Sequence, residues 1–334
     1  MKKFMFIVIS AVLVLTMCSC SMFGNQHRCF TPEYIDFPDG VDSFYFPDHK
    51  RCWDNIVFEC LKAGTTSDTP RTHYFYKLNL SDMKFTLFSE VELLNVSNMQ
   101  GHSDGSVTLT ACIGEYGTRA IVDIGYDGKC SIRELPQFSK GISYRSYDDY
   151  EKNKFLLEVY RYREGYILIT TDGVLYMDKD APDDVKIEDM YVIDDSFTGR
   201  QAGLPSYECN NDGTLIRYTS EALENKFSIS KLNEEFKFEE IGEIKGASYT
   251  YNPGDKDCIY YSSFPFLNSK NGNSGDRIIY KFDFNTRKST EYGRIMLGNF
   301  TGSSYLTIID ENTFLETSDE KPKLWRCKEA VETD

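Results

Sequence analysis

Four stretches of this 334-residue chain place reactive side chains at spacings that chemistry can use. Cys20 closes Met17-Cys18-Ser19-Cys20, directly behind an uncharged apolar run, Phe4 to Met17, that follows Lys2 and Lys3. A thiol there is placed for covalent modification during export. Gly101-His102-Ser103-Asp104-Gly105 matches G-x-S-x-G, the turn that lifts a nucleophilic serine above a sheet. Asp178-Lys179-Asp180-Ala181-Pro182-Asp183-Asp184, with Glu188 and Asp189, concentrates oxygen donors as a calcium loop does. Acid doublets stand at Asp148-Asp149, Asp183-Asp184 and Asp194-Asp195, and glycoside hydrolysis requires two carboxyl groups at one bond.

Context weakens three of the four. A nucleophile elbow needs a helix after the serine, whereas Ser106–Thr110 reads as a strand, and no histidine follows His102. The segment is better read as an Asp-Gly turn entering a strand. In the acidic run, Pro182 and Asp183 occupy the places where an EF-hand wants an oxygen donor and a glycine, so a solvated loop is expected. Adjacent acids on a strand point to opposite faces, so any catalytic pair has to be assembled from separate sheets. The histidines, His27, His49, His73 and His102, share no ligand spacing. The chain therefore has no signature of a metal site, and no cofactor is expected.

Charge narrows the partners. With 52 Asp+Glu against 37 Lys+Arg the net charge is −15, with no compensating basic cluster, which argues against binding to nucleic acid. Beyond Cys20, eight cysteines (Cys29, Cys52, Cys60, Cys112, Cys130, Cys209, Cys258 and Cys327) permit disulfides in an exported chain. Cys29 with Cys327 is one candidate pair. Cys112 and Cys130 are not, because they fall at opposite ends of their blade.

The positive start, the short apolar run and the small residue before Cys20 resemble the lipobox signal of bacterial lipoproteins, with Met17 where that box usually carries Leu. The resemblance implies that residues 1–19 are removed and that Cys20 carries acyl chains, with 20–31 as a tether. Multiple chains anchor stably where one is marginal. Ser21 after the cysteine favours the outer membrane over inner-membrane retention.

Internal echoes define the elements behind the tether. Residues 74–86 align without a gap with 278–290: Tyr74, Tyr76, Leu78 and Leu80 match Ile278, Tyr280, Phe282 and Phe284 on one strand face. Hairpin signals join Ala120–Ile124 to Cys130–Glu134, Tyr166–Thr170 to Val174–Met177, and Phe227–Leu232 to Phe236–Ile241. Second strands of successive units are predicted at Ile56–Cys60, Val107–Cys112, Phe155–Tyr160, Thr214–Thr219, Cys258–Ser262 and Ser304–Ile309. Their spacing of roughly 45–60 residues is near that of propeller blades, and the strand–turn–strand pattern resembles bacterial β-propeller repeat proteins.

Residues 32–334 are thus expected to form one all-β propeller of six blades, within a range of five to seven, each of four antiparallel strands. A pair of β-sandwiches is the rival, but it predicts no such echo. Closure requires Tyr34–Phe37 to pair with the last blade near Leu324–Cys327.

Tyr144, Tyr147, Tyr249 and Tyr251 are predicted on innermost strands beside the channel, where tyrosines stack on sugars or line a protein contact. The expected function is non-catalytic binding of a protein or glycan partner by a lipid-anchored envelope protein. The alternatives are an envelope glycosidase or lyase on the same scaffold and a component of outer-membrane assembly machinery.

Overall fold

The computed structural model describes residues 30–138, 155–195, 205–263, 276–296 and 305–327. Short stretches at 37, 39–40, 42–43, 53, 66–68, 172, 211, 222–225, 246–247, 254–256, 311 and 318–322 are excepted. Strand β1 (Phe30–Tyr34) is the first described element, and its first two residues fall in the stretch read as a tether. Twenty strands then form five antiparallel sheets of consecutive members. These are β2–β5 (Phe44–Cys52, Asn55–Lys62, Arg71–Asn79, Phe85–Leu93), then β6–β9 (Asn95–Gly101, Val107–Ile113, Thr118–Ile124, Cys130–Glu134). Next are β10–β13 (Leu156–Tyr162, Gly165–Thr170, Gly173–Asp178, Tyr191–Asp194) and β14–β17 (Ser206–Cys209, Leu215–Glu221, Lys226–Leu232, Phe238–Lys245). The fifth is β18–β21 (Ser248–Pro253, Cys258–Ser263, Asp276–Asp283, Lys288–Met296). The sixth runs β22 (Tyr305–Asp310), β23 (Thr313–Thr317), β24 (Lys323–Cys327) and back to β1. This is a six-bladed β-propeller.

Burial explains why the sheets stand around a ring. Middle strands such as β3 and β7 are buried along almost their whole length, because both faces of each sheet are covered by neighbours. One apolar cluster fills each gap between blades. Val57 and Phe75 meet Leu109 and Val122 between the first two, and Ile121 meets Val159 and Leu168 between the next. Ile167 and Val174 pack on Tyr207 and Leu215, Ile216 on Ile259 and Phe282, and Ile279 on Phe314 and Trp325. Ile309, Leu315 and Leu324 close the ring against Ile56 and Phe58. The outer strand β9, by contrast, is almost wholly solvated.

Closure uses β1 as the outermost strand of the last blade, pairing Phe30 with Cys327 and Tyr34 with Lys323. The last blade was the predicted partner, but the closing strand lies a few residues before Tyr34–Phe37. The echo at 74–86 and 278–290 is real in three dimensions: β4 and β20 are both third strands. Each runs into a turn in which Asn79 or Asp283 accepts from backbone N–H groups at Ser81 or Thr286, 2.8 and 2.7 Å away. Met83 and Arg287 follow with matching positive φ, 57° and 56°.

Two predicted second strands are first strands instead. Phe155–Tyr160 corresponds to β10 and Ser304–Ile309 to β22, each the innermost strand of its blade. In the third blade the Thr171–Gly173 turn joins strands two and three, whereas Gly125–Gly128 in the second blade joins three and four. An Asp-Gly turn marks a hairpin but not its rank in the blade. The real first turn of blade three, at Arg163 with φ 53°, carries neither glycine nor asparagine.

Candidate functional site

The G-x-S-x-G segment is a structural turn. His102 sits buried with Nε2 2.8 Å from the Thr108 hydroxyl; that hydroxyl donates to Asp123 Oδ1 at 2.5 Å, and Tyr166 donates to Asp123 Oδ2 at 2.6 Å. Because Thr108 spends its proton on Asp123, His102 supplies an Nε2–H to the Thr108 oxygen. Burial holds its pKa down at about 3, with Arg161 adding to the effect. The chain ties blade two to blade three and leaves His102 no role toward the exposed Ser103. His49 and His73 are likewise buried, one stacked on Phe58 and the other 2.7 Å from Glu59.

The acidic run is organised by an arginine. Arg133, on β9, donates to the carbonyl oxygens of Lys179 (2.9 Å), Pro182 (3.2 Å) and Ala181, and lies 3.5 Å from Asp183. A guanidinium thus occupies the carbonyl cradle that a calcium ion would use. Among the described residues no group of three or more His, Cys, Asp or Glu is arranged to hold a metal.

The side chains that do converge were not singled out by sequence. A cavity of about 170 Å³ in the channel is lined by residues of four innermost strands, including Lys50 from β2, Gln100 from β6, Glu158 from β10 and Glu208 from β14. Much of the lining is committed to closing strand edges, since an innermost strand has unpaired backbone groups facing the channel. Gln100 accepts from Arg161 N–H at 2.7 Å and donates to Arg161 O at 3.4 Å, and its amide also reaches Cys209 Sγ at 3.0 Å. Asn98, two residues earlier on the same face, donates to Val159 O at 3.5 Å. Asn210 repeats the device from blade four to blade five, donating to Cys258 O at 3.2 Å. Gly101 allows β6 to reach β2: a Cβ there would lie 2.1 Å from Arg51 O.

What the cavity has left is a carboxyl pair. The Tyr160 hydroxyl lies 2.8 Å from both Glu158 Oε2 and the Tyr207 carbonyl. The phenol offers its one proton to these two acceptors. Burial raises the Glu158 pKa, against the pull of Tyr160 and Lys50. Glu208 is pushed to about 8, chiefly by burial and then by Glu158, with Lys50 opposing. The Tyr218 hydroxyl also favours its charged form. Cys209, with its pKa raised to about 12 mainly by burial, stays a thiol.

Of the residues predicted from sequence, Cys20, Cys29, Tyr144 and Tyr147 lie outside the described residues. The innermost described strand of blade three is β10. Tyr249 and Tyr251 fall on β18, the innermost strand of blade five. Six cysteines, Cys52, Cys60, Cys112, Cys130, Cys209 and Cys258, are free thiols, the first three and the last of them buried. Asn98-x-Gln100 and Glu158-x-Tyr160 were the available signals: polar groups two residues apart, on one face of their strands.

Fold and site together define a six-bladed β-propeller with a polar cavity in its channel, lined by Lys50 and Arg51 as well as Glu158 and Glu208. No protein-family model matches the chain, and no curated protein sequence is detectably similar to it. Solved structures of similar chain course include an oligogalacturonate lyase from Vibrio parahaemolyticus, at 10% identity over 90% of this chain and 97% of that one, with a TM-score of 0.49. An uncharacterized protein from Listeria monocytogenes matches at 13% identity over 90% and 99%, TM-score 0.48. A TolB-like protein from Agrobacterium tumefaciens matches at 13% over 86% and 91%, TM-score 0.45. The likeness is one of architecture, and what those proteins act on does not carry over to this chain.

Proposed function

We propose that the protein is a lipid-anchored cell-envelope β-propeller that captures a polar ligand in its channel without turning it over. Acyl chains on Cys20 would hold it to the outer membrane. The observation that carries the binding reading is the convergence of Lys50, Gln100, Glu158 and Glu208 from four blades on one enclosed cavity. Rigid inner strands, not loops, hold these groups, and the edge-closing hydrogen bonds of Gln100 and Tyr160 fix their positions.

The second reading, an envelope glycosidase or lyase, draws on the same carboxyl pair from adjoining blades. Hydrolytic pairs work because their environments push the two pKa values apart, leaving one acid and one base. Here burial raises both, which favours binding. An assembly role would call for an apolar rim. Tyr34, Leu87, Ile132, Tyr191 and Val192 are exposed, but they sit on the outermost strands of four different blades.

Two measurements test the proposal. Radiolabelled palmitate is expected to mark the wild type and not Cys20→Ala; equal labelling of both removes the anchor. A glycan array and pull-down from envelope extracts, run with wild type and an E158Q/E208Q double variant, is expected to show ligand retention only by the wild type. Ligand recovered chemically altered would favour the enzyme.

A further inference from the structure

The outer edge of blade two carries unused backbone hydrogen-bonding groups beside an acidic wall. We propose that this edge docks an extended, lysine- or arginine-rich segment of a partner protein, which adds to blade two as a fifth strand. The site lies on the rim, apart from the channel cavity.

The backbone is the first ground. β9 is the outermost strand of its sheet and pairs only with β8. Just beyond the two ends of that ladder, Leu135 N donates to Arg119 O at 2.7 Å and Gly125 N donates to Lys129 O at 2.8 Å. Along an antiparallel strand, backbone groups point alternately toward the partner and away from it. The odd-numbered residues therefore face β8, and the N–H and C=O groups of Ile132 and Glu134 face outward. Among the described residues nothing hydrogen-bonds to them there. Both residues are exposed.

A groove beside that edge is the second. Its volume is about 680 Å³, inside the range of about 300–1,000 Å³ that binding clefts occupy. One wall is β9 at Ile132 and Glu134; the other is the turn 179–184 of blade three. Arg133 ties the walls together, donating to the carbonyl oxygens of Lys179 at 2.9 Å and Pro182 at 3.2 Å. The turn adds its own bonds, from Ala181 N to Asp178 O at 3.1 Å and from Val185 N to Pro182 O at 3.0 Å. The groove is thus preformed, and an incoming strand has little to order besides itself.

Charge selects the occupant. Glu134, Asp180, Asp183 and Asp184 line the groove against two bases, Arg133 and Lys179. Both bases are already engaged, Arg133 with the carbonyls and with Asp183 at 3.5 Å, Lys179 with Glu164 at 2.5 Å. Such a wall repels phosphates and anionic headgroups, and a second copy of this chain would set the same carboxylates against themselves. A β-strand sends alternate side chains to one face. A partner with Lys or Arg at every second position therefore lays them all along the 180–184 wall. The five residues of β9 span about 17 Å, which a strand of equal length matches. Main-chain bonds then supply affinity, and the carboxylates supply selectivity.

The test titrates fluorescein-labelled peptides of about seven residues against the folded protein by anisotropy. One alternates lysine with threonine, a second glutamate with threonine, and a third lysine with backbone-N-methylated threonine. With the lysines on the acidic wall, the threonines are the residues that bond to Ile132 and Glu134. The lysine peptide is expected to bind about tenfold or more tighter than the glutamate peptide, and to weaken as salt rises from about 50 to about 300 mM. D180N/D184N should weaken it about fivefold or more, and N-methylation about tenfold or more. Ile132→Pro removes an outward N–H that the sheet does not use, so the fold should survive while binding falls as with N-methylation. Lysine-peptide binding that is indifferent to N-methylation and to Ile132→Pro would reduce the groove to an electrostatic patch and overturn strand addition. Binding unchanged in D180N/D184N would place the peptide elsewhere and refute the site. No binding, or equal binding of the glutamate peptide, would refute the basic partner.

Discussion

Glu208→Gln should make the protein more stable, by an amount that grows as pH rises from about 4.5 to about 8. In an unfolded chain this carboxyl ionises around 4.5; in the fold it does so at about 8, because burial and the neighbouring Glu158 disfavour the charge. Between those values the folded state holds a proton that the unfolded chain has released. Its contribution to stability is therefore intact below 4.5 and falls as pH rises toward 8. Each pKa unit corresponds to about 1.4 kcal/mol, and a shift of this size would convert to about 4–5 kcal/mol. Water in the cavity relaxes part of that, which leaves about 2–4 kcal/mol. Glutamine has the same shape and nothing to ionise. Urea unfolding at pH 4 should show the two proteins within about 1 kcal/mol of each other. At pH 8.5 the variant should be the more stable by about 2–4 kcal/mol. A difference that does not change with pH, or a variant less stable at pH 8.5, would mean that Glu208 is solvated and the cavity chemistry misread.

Three further outcomes follow from the packing. Asp123→Ala strands the hydroxyls of Thr108 and Tyr166 and should cost about 3–5 kcal/mol in urea unfolding, with Tyr166→Phe costing about half as much; a loss under about 1 kcal/mol would show that the blade-two to blade-three chain is not structural. Gly101→Ala drives a methyl group into Arg51 O, and a drop of about 3 kcal/mol or more is expected from thermal melts; an unchanged melt would mean that β2 and β6 are further apart than described. A chain lacking residues 30–34 leaves the outer edge of β24 open, so light scattering should show larger species than the parent protein gives; an unchanged size with the parent's melting temperature would refute strand closure.

The blade grammar was legible because it is local. Tyr76-Lys77-Leu78-Asn79 and Tyr280-Lys281-Phe282-Asp283 alternate with period two, and each ends in a side chain that caps its own turn. Rank within a blade was not legible, because β10 and β22 are as apolar as any second strand and begin their blades without a turn signal. Apolar alternation records that a strand is covered, not which neighbour covers it. The acidic loop was conspicuous in sequence, yet its organiser, Arg133, lies on β9, more than forty residues before it. Density of charge attracted notice, while single polar residues in apolar strands carried the site.

By itself the sequence determined the repeat, the strand-and-turn alphabet, the acidic surface and the ring's need for a closing strand. All of these rest on interactions between residues close in the chain, or on composition. Only the tertiary structure decided that Lys50, Gln100, Glu158 and Glu208 share a cavity, and that burial raises the pKa of its two carboxyls. The physical reason is that a pKa is a property of surroundings. Glu208 looks like any surface glutamate until four inner strands, drawn from a span of about 160 residues, remove the water around it.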